Sequence, residues 1–363
     1  YFDAFRIDHI LGFFRIWSIP AHAVEGIMGR FMPAIPVSIN EIFSKSITFE
    51  RTRYTEPYVT DSILIDLFED KKDEVKKTFF SGLKLKEKFN TQRKVEAYFK
   101  TDKTFDNKIK QGLYDLISNV IFFEVPDSNG QEFHFRFAMQ DTYSFKNLDR
   151  HSQKELTAIY VDYFFHRQDE LWKKEAMKKL PGLKSNTAML VCGEDLGMVP
   201  HCVPEVMEQL GILSLEIQRM PKKTGSEFFH PNDAPYLSVV SPSTHDMSTI
   251  RGWWEEDNFK TKHFFNHLMG QNGEPPFYCE AWINKEIILQ HLYSPAMWSI
   301  FQLQDLMGMN AAIRREDPRE ERINNPSESE HYWNYRMHIN LEDLLKKTAF
   351  NDELKGYVQA SGR

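Results

Sequence analysis

The sequence predicts an α/β fold, a barrel or sheet whose strands end in acids. Three short segments carry that prediction: Phe5-Arg6-Ile7-Asp8-His9, Val191-Cys192-Gly193-Glu194-Asp195-Leu196-Gly197 and Ser243-Thr244-His245-Asp246. Each follows an apolar run (residues 1–5, 188–191 and 236–240) and leads into polar groups and a turn. A buried strand that ends in acids is costly unless those acids are paired or used. Gathering them at the C-terminal ends of strands is how α/β enzymes arrange their chemistry.

Taken in order, residues 1–42 read as strand, loop and helix, with Pro20, Pro33 and Pro36 interrupting any long regular element. The stretch 43–165 has a different character. Residues 61–69 and 73–80 place apolar side chains at helical spacing among charges. A strand at 120–125, a turn around Asn129-Gly130 and a return strand at 132–137 form a hairpin pattern. Residues 156–180 read as one aromatic-rich helix ending at Pro181-Gly182. A βα rhythm then follows: strand at 188–192, helix from Pro204, strands at 212–218 and 236–241, helix from Met247. Residues 294–310 read as helical, Asn324-Asn325-Pro326 as a turn, and Leu341 opens a terminal helix.

Composition removes several classes of function. The 363 residues are 41% hydrophobic and 14% aromatic, enough for a large core. A net charge of −7, with acids and bases interspersed, argues against a nucleic-acid surface. No apolar run approaches the ~20 residues that cross a bilayer. Cys192, Cys202 and Cys279 lack CxxC spacing, so a reducing, cytoplasmic compartment is expected, without a disulfide framework or zinc site. His263 and His267 stand four apart but lack the Glu of a zinc helix, so neither metal nor cofactor is expected. Tyr1 lies inside a strand-like segment, and the chain reads as the C-terminal part of a longer protein.

The acids fit glycoside chemistry, in which one carboxylate attacks the anomeric carbon while another protonates the leaving oxygen. The two roles need opposite protonation states, hence unlike surroundings. Arg6, two residues before Asp8 and on the same strand face, suits a partner for an ionised nucleophile. Glu194 sits among Val191, Cys192, Gly193 and Leu196, a more apolar setting that suits the proton donor. Asp246 beside His245 is placed to hold sugar hydroxyls. Taken singly, each signal has a plainer explanation: an ordinary ion pair, or a helix cap at Glu194-Asp195 or His245-Asp246.

In this order the motifs resemble the 4-α-glucanotransferases of the amylomaltase family, glycoside hydrolase family 77. Arg6-Ile7-Asp8-His9 with Trp17-Ser18-Ile19-Pro20, then Gly193-Glu194-Asp195-Leu196-Gly197, then Thr244-His245-Asp246 carry the resemblance. Gln304-Asp305 and Arg322-Ile323-Asn324-Asn325-Pro326 add to it. The resemblance covers about residues 1–42 and 185–340. It implies a (β/α)8 TIM barrel, present here from strand 4 onward, and a retaining double displacement. It further implies Asp8 as nucleophile, Glu194 as acid/base and Asp246 as transition-state stabiliser, with Arg6, His9, His245 and Asn324 contacting the sugar.

Asp8 and Glu194 stand much further apart than in simple members of the family. The intervening stretch, 43–165, resembles the mainly helical insertion of the cytosolic plant-type subgroup, leaving 1–42 and 166–363 as barrel. Met247-Ser248 after Asp246, and Trp253-Trp254-Glu255-Glu256, also look like that subgroup. The resemblance implies maltose or malto-oligosaccharides as donor and glycogen or another branched glucan as acceptor. A barrel lacking its first three strands is expected to be poorly stable and inactive by itself. The residues leave open a retaining α-glucan hydrolase, or a non-catalytic glucan-binding protein in which the acids persist as ion pairs. Trp253, Trp254, Trp298 and Trp333 are open to stacking on sugars or to core packing.

Overall fold

A computed structural model describes residues 2–102, 104–223, 225–328, 330 and 333–363. They are mixed helix and strand and divide into two compact units. One comprises Tyr1–Leu11, Leu180–Val199 and Val203–Arg363; the other comprises Gly12–Lys179 and Pro200–Cys202.

The first unit is built on five parallel strands. Ala4–Ile7 pairs with Leu190–Gly193 in the register Ala4↔Leu190 to Ile7↔Gly193. A parallel bridge, Cys192↔Leu213, carries the order on to Ser214–Ile217. That strand pairs with Ser238–Ser241, which pairs in turn with Trp298–Ser299. All four residues of Ser238–Ser241 are buried, as expected of a parallel strand covered on both faces. Helices Cys202–Leu210, Ile250–Glu256 and Ala281–Leu292 lie between successive strands in the chain. Ile250, Trp254, Phe264, Ile283, Ile287 and Leu292 form a buried cluster of this unit. Trp253 and Trp254 are therefore core residues, while Trp298 and Trp333 are exposed.

The stretch 294–310 departs from its helical reading. Trp298–Ser299 is the fifth parallel strand and only Leu303–Met307 is α-helical. A two-residue strand carries too little alternation to register in the sequence, and its place is fixed by Ile300 N–H donating to Val240 O at 3.0 Å, the usual ladder distance.

The second unit holds two aromatic-rich cores. Leu64, Phe68, Phe79, Phe89, Val95, Phe99 and Leu113 belong to one; Ile42, Tyr54, Phe122, Phe133, Phe135, Leu156 and Tyr163 belong to the other. The predicted hairpin forms: Phe122–Glu124 and Glu132–Phe135 are antiparallel, and Val37–Ser38 adds a third strand. The helical run read through to Leu180 is two helices, Arg150–Phe165 and Asp169–Ser185, with Pro181 inside the second. The break has a cause. Buried Gln168 donates to Ile35 O (3.0 Å) and accepts from Ile35 N–H (2.7 Å), and Arg167 donates back to Asp162 (2.6 Å). Among the described residues no helix is long and apolar enough to cross a membrane.

Candidate active site

Asp8 and Glu194 each follow the last registered pair of adjacent parallel strands, Ile7↔Gly193. The ladder runs on past that pair: Glu194 N–H donates to Ile7 O and Ile10 N–H to Glu194 O, both at 2.9 Å. The registered strands thus end at the two candidate acids. Gly193 permits the approach, since a Cβ there would stand 2.7 Å from Ile10 Cδ1 and 2.9 Å from Met207 Cε.

The Glu194 carboxylate is held on both oxygens. His9 N–H donates to Oε2 at 3.0 Å and Leu196 N–H to Oε1 at 3.0 Å. The first of these bonds depends on an uncommon backbone. His9 sits at φ +48°, the left-handed region, which turns its amide onto Glu194. His9 Nδ1 stands 3.8 Å from the same oxygen. Asp8 has a contrasting environment: its side chain is 81% exposed against 13% for Glu194. Arg6 Nη2 lies 2.9 Å from Asp8 Oδ1, the same-face pair that strand alternation predicts.

Asp246 lies past the end of Ser238–Ser241, at the same C-terminal end of the parallel strands. Asn324 Nδ2 donates to its Oδ1 at 2.7 Å, and His245 Nε2 lies 3.3 Å from Oδ2. Asn324 N–H also donates to His245 O at 3.1 Å, tying the 322–325 turn to this loop. The exposed Trp333 ring packs on His245 with centroids 4.8 Å apart. The seven candidate residues therefore form two directly linked groups, Arg6-Asp8-His9-Glu194 and His245-Asp246-Asn324, at one end of one strand set.

Among the supporting residues, Lys222, Glu216 and Gln302 were not singled out by sequence reasoning, whereas Asp195 and Asp305 lie in quoted motifs. Lys222 donates to Asp195 Oδ2 and to Glu216 Oε1, each at 2.7 Å, and Leu215 N–H donates to Asp195 Oδ1 at 2.9 Å. This anchors the residue next to Glu194, which is only 1% exposed. Burial pushes the Asp195 carboxyl up to about 6, against the opposing pull of Lys222. Gln302 donates to Ser243 Oγ and Thr244 O, both at 2.9 Å, and Arg219 donates to Pro242 O at 3.0 Å. The buried Asp305 accepts from Ser243 Oγ and from Ile250 N–H (2.7 Å), and burial raises its pKa. The Pro242–Ser248 loop carrying Asp246 is thus cinched from below. Nothing local in the sequence distinguishes Lys222 from a solvated lysine.

A sequence profile of the family described as 4-alpha-glucanotransferase matches residues 1–342. The 4-alpha-glucanotransferase DPE2 of Oryza sativa subsp. japonica is 39% identical over 374 residues, taking in 100% of this chain and 39% of the relative. A 4-alpha-glucanotransferase of Chlamydia trachomatis is 28% identical over 225 residues, 61% of this chain and 39% of that protein. Among solved structures, the amylomaltase from Streptococcus agalactiae in complex with acarbose aligns at TM-score 0.40 and 20% identity, over 53% of this chain and 35% of that one. The chain spans about two fifths of the length of the curated relatives it matches.

Proposed function

The chain belongs to the 4-alpha-glucanotransferase family, glycoside hydrolase family 77, and from that premise we propose that it transfers α-1,4-linked glucosyl units from maltose or malto-oligosaccharides to a glucan acceptor. The observation that carries the reading is the Ile7↔Gly193 register, which sets Asp8 and Glu194 on neighbouring strands. Neighbouring parallel strands lie roughly 4.8 Å apart, so the two acids leave the sheet side by side at its C-terminal end.

In this mechanism Asp8, exposed and paired with Arg6, attacks the anomeric carbon. Glu194 protonates the departing oxygen and later takes the proton of the incoming acceptor hydroxyl. Its two backbone donors fix the carboxylate's position through both steps. Asp246, oriented by Asn324 and His245, stabilises the oxocarbenium-like transition state. Arg6, His9, His245 and Asn324 contact the sugar. The five parallel strands are read as strand 4 onward of a (β/α)8 barrel, with 1–42 and 166–363 as barrel and 43–165 as a subgroup insertion. Three free cysteines fit a cytoplasmic setting.

The test is maltose disproportionation by the full-length protein, with and without glycogen, comparing wild type with Glu194→Gln. Glycogen-dependent release of one glucose per maltose, reduced roughly 10²–10⁴-fold or more in the variant, supports the reading. Hydrolysis indifferent to glycogen makes the protein an α-glucan hydrolase. Absence of turnover leaves a glucan-binding protein.

A further inference from the structure

Beside the Asp246 group lies a cavity of about 840 Å³ that the proposed chemistry does not use. The segments that hold Asp246 also build its wall. Ser248 follows Asp246 by two positions, Asn325 follows Asn324, and Arg322 donates from Nε to Asn324 O at 2.9 Å. Gly252 contributes to the lining at a tight point, where an added Cβ would lie 3.3 Å from Ser248 Cβ and 3.7 Å from Pro318 O.

Two features of the lining point to one ligand chemistry. Phe277 and Tyr278 are 57% and 66% exposed, with ring centroids 4.9 Å apart and planes at 87°. Their loop is pinned on both sides: buried Trp254 donates from Nε1 to Pro276 O (2.9 Å), and Arg314 donates to the carbonyl of buried Cys279 (2.7 Å). Exposed rings on a fixed backbone lose little entropy when something packs on them. The remaining lining is rich in carboxylate acceptors, including Glu255, Glu256 and Glu328, with Arg319 and Arg322 as its guanidinium donors. Carboxylates outnumber guanidiniums there, so anionic ligands are repelled while neutral hydroxyl donors find charge-assisted acceptors. Aromatic faces for pyranose C–H surfaces and carboxylates for pyranose hydroxyls describe a saccharide site.

We infer that this cavity binds a run of glucosyl residues of a polymeric acceptor glucan, outside the acid cluster that takes the transferred sugar. The inference rests on the glucanotransferase reading and adds a residue-level acceptor site to it. A maltose-sized donor needs nothing beyond the acid cluster; a polymer has chain to place in the adjoining cavity.

The experiment uses the full-length protein with Glu194→Gln to stop turnover, and reads two affinities. Calorimetry with maltose reports the donor site, and electrophoresis through glycogen-containing gels reports polymer binding. Phe277→Ala/Tyr278→Ala is expected to weaken glycogen binding about tenfold while leaving maltose affinity unchanged. Both side chains are exposed, so the fold is retained, which an unchanged Tm checks. Tyr278→Phe, which keeps the ring, is expected to keep glycogen retardation. Full retardation in the double Ala variant, with maltose still bound, would overturn the site and leave the transferase reading intact. Loss in Tyr278→Phe as complete as in the double variant would overturn the stacking. If the Glu194→Gln protein binds neither maltose nor glycogen, the glucanotransferase reading fails together with the site.

Discussion

The two units solve the burial of polar groups in different ways. In the Gly12–Lys179 unit a set of polar side chains caps helices. Ser38, Thr60, Thr91, Asp106, Thr142 and Asp149 each accept an N–H three residues on, at the start of a helix. Its interior is aromatic, with Phe79 against Phe89 at 4.7 Å and Phe122 against Phe135 at 4.6 Å between centroids. In the strand unit the interior itself is charged. Among the described residues, the buried carboxylates Asp195, Glu216, Asp305 and Glu321 all belong there. Each is wired to a partner: Lys222 for the first two, Ser243 and Ile250 N–H for Asp305, Arg251 and Thr249 for Glu321. Buried charge is expensive and poor evidence for stability. Here it lies beneath the loops that carry the candidate catalytic acids, where a fixed geometry matters more than the lowest energy.

The largest effects come from breaking one interior of each kind. Glu321→Ala leaves the Arg251 guanidinium buried without its carboxylate, with an expected cost of roughly 3–5 kcal/mol. Phe79→Ala empties part of an aromatic core, at a similar cost of roughly 3–5 kcal/mol. Urea unfolding is expected to place the two variants alike. Turnover per folded molecule is expected to separate them, falling for Glu321→Ala and holding for Phe79→Ala. Equal turnover losses would erase the contrast between the units.

The next effect is pH dependence. Burial holds His134 in one unit and His291 in the other down at about 4, below the usual histidine range. The unfolded chain therefore binds more protons between pH 6.5 and about 4, so each histidine's contribution to stability is lost as pH falls through that window. At full extent this is on the order of 3 kcal/mol per residue. His134→Gln and His291→Gln are each expected to flatten the acid limb of a stability–pH curve. Asp195 runs the opposite way. Raised to about 6, its contribution is present at low pH and lost as pH rises from the ordinary aspartate value toward 6. Asp195→Asn is expected to remove that slope, and an unchanged curve would refute its buried, raised state.

The smallest effect is local. Thr91→Ala removes the cap acceptor for Lys94 N–H (3.3 Å), with an expected cost of about 1 kcal/mol by thermal unfolding and no change in activity.

Much of the architecture was legible because its signals are local. The strand before Asp8, the strand before Glu194 and the strand before Asp246 are apolar runs that end in polar groups, and all three form. The hairpin at 122–135 announced itself through alternation and Asn129-Gly130. The pairing of Arg6 with Asp8 follows from period two alone. Trp298–Ser299 was not legible, because two residues carry no period and its pairing with Val239 and Val240 is remote in sequence. The break at His166–Gln168 was likewise hidden, since Ile35, which satisfies Gln168, lies far along the chain.

The candidate acids, their order along the chain and the α/β class were readable without coordinates, because strand period, glycine and acid placement are properties of neighbouring residues. Tertiary structure alone decided how those residues are held. The His9 amide on Glu194, the Asn324 amide on Asp246, Lys222 on Asp195 and the aromatic-walled cavity beside them each join positions far apart in the chain. Such contacts depend on register and packing, which no local pattern encodes.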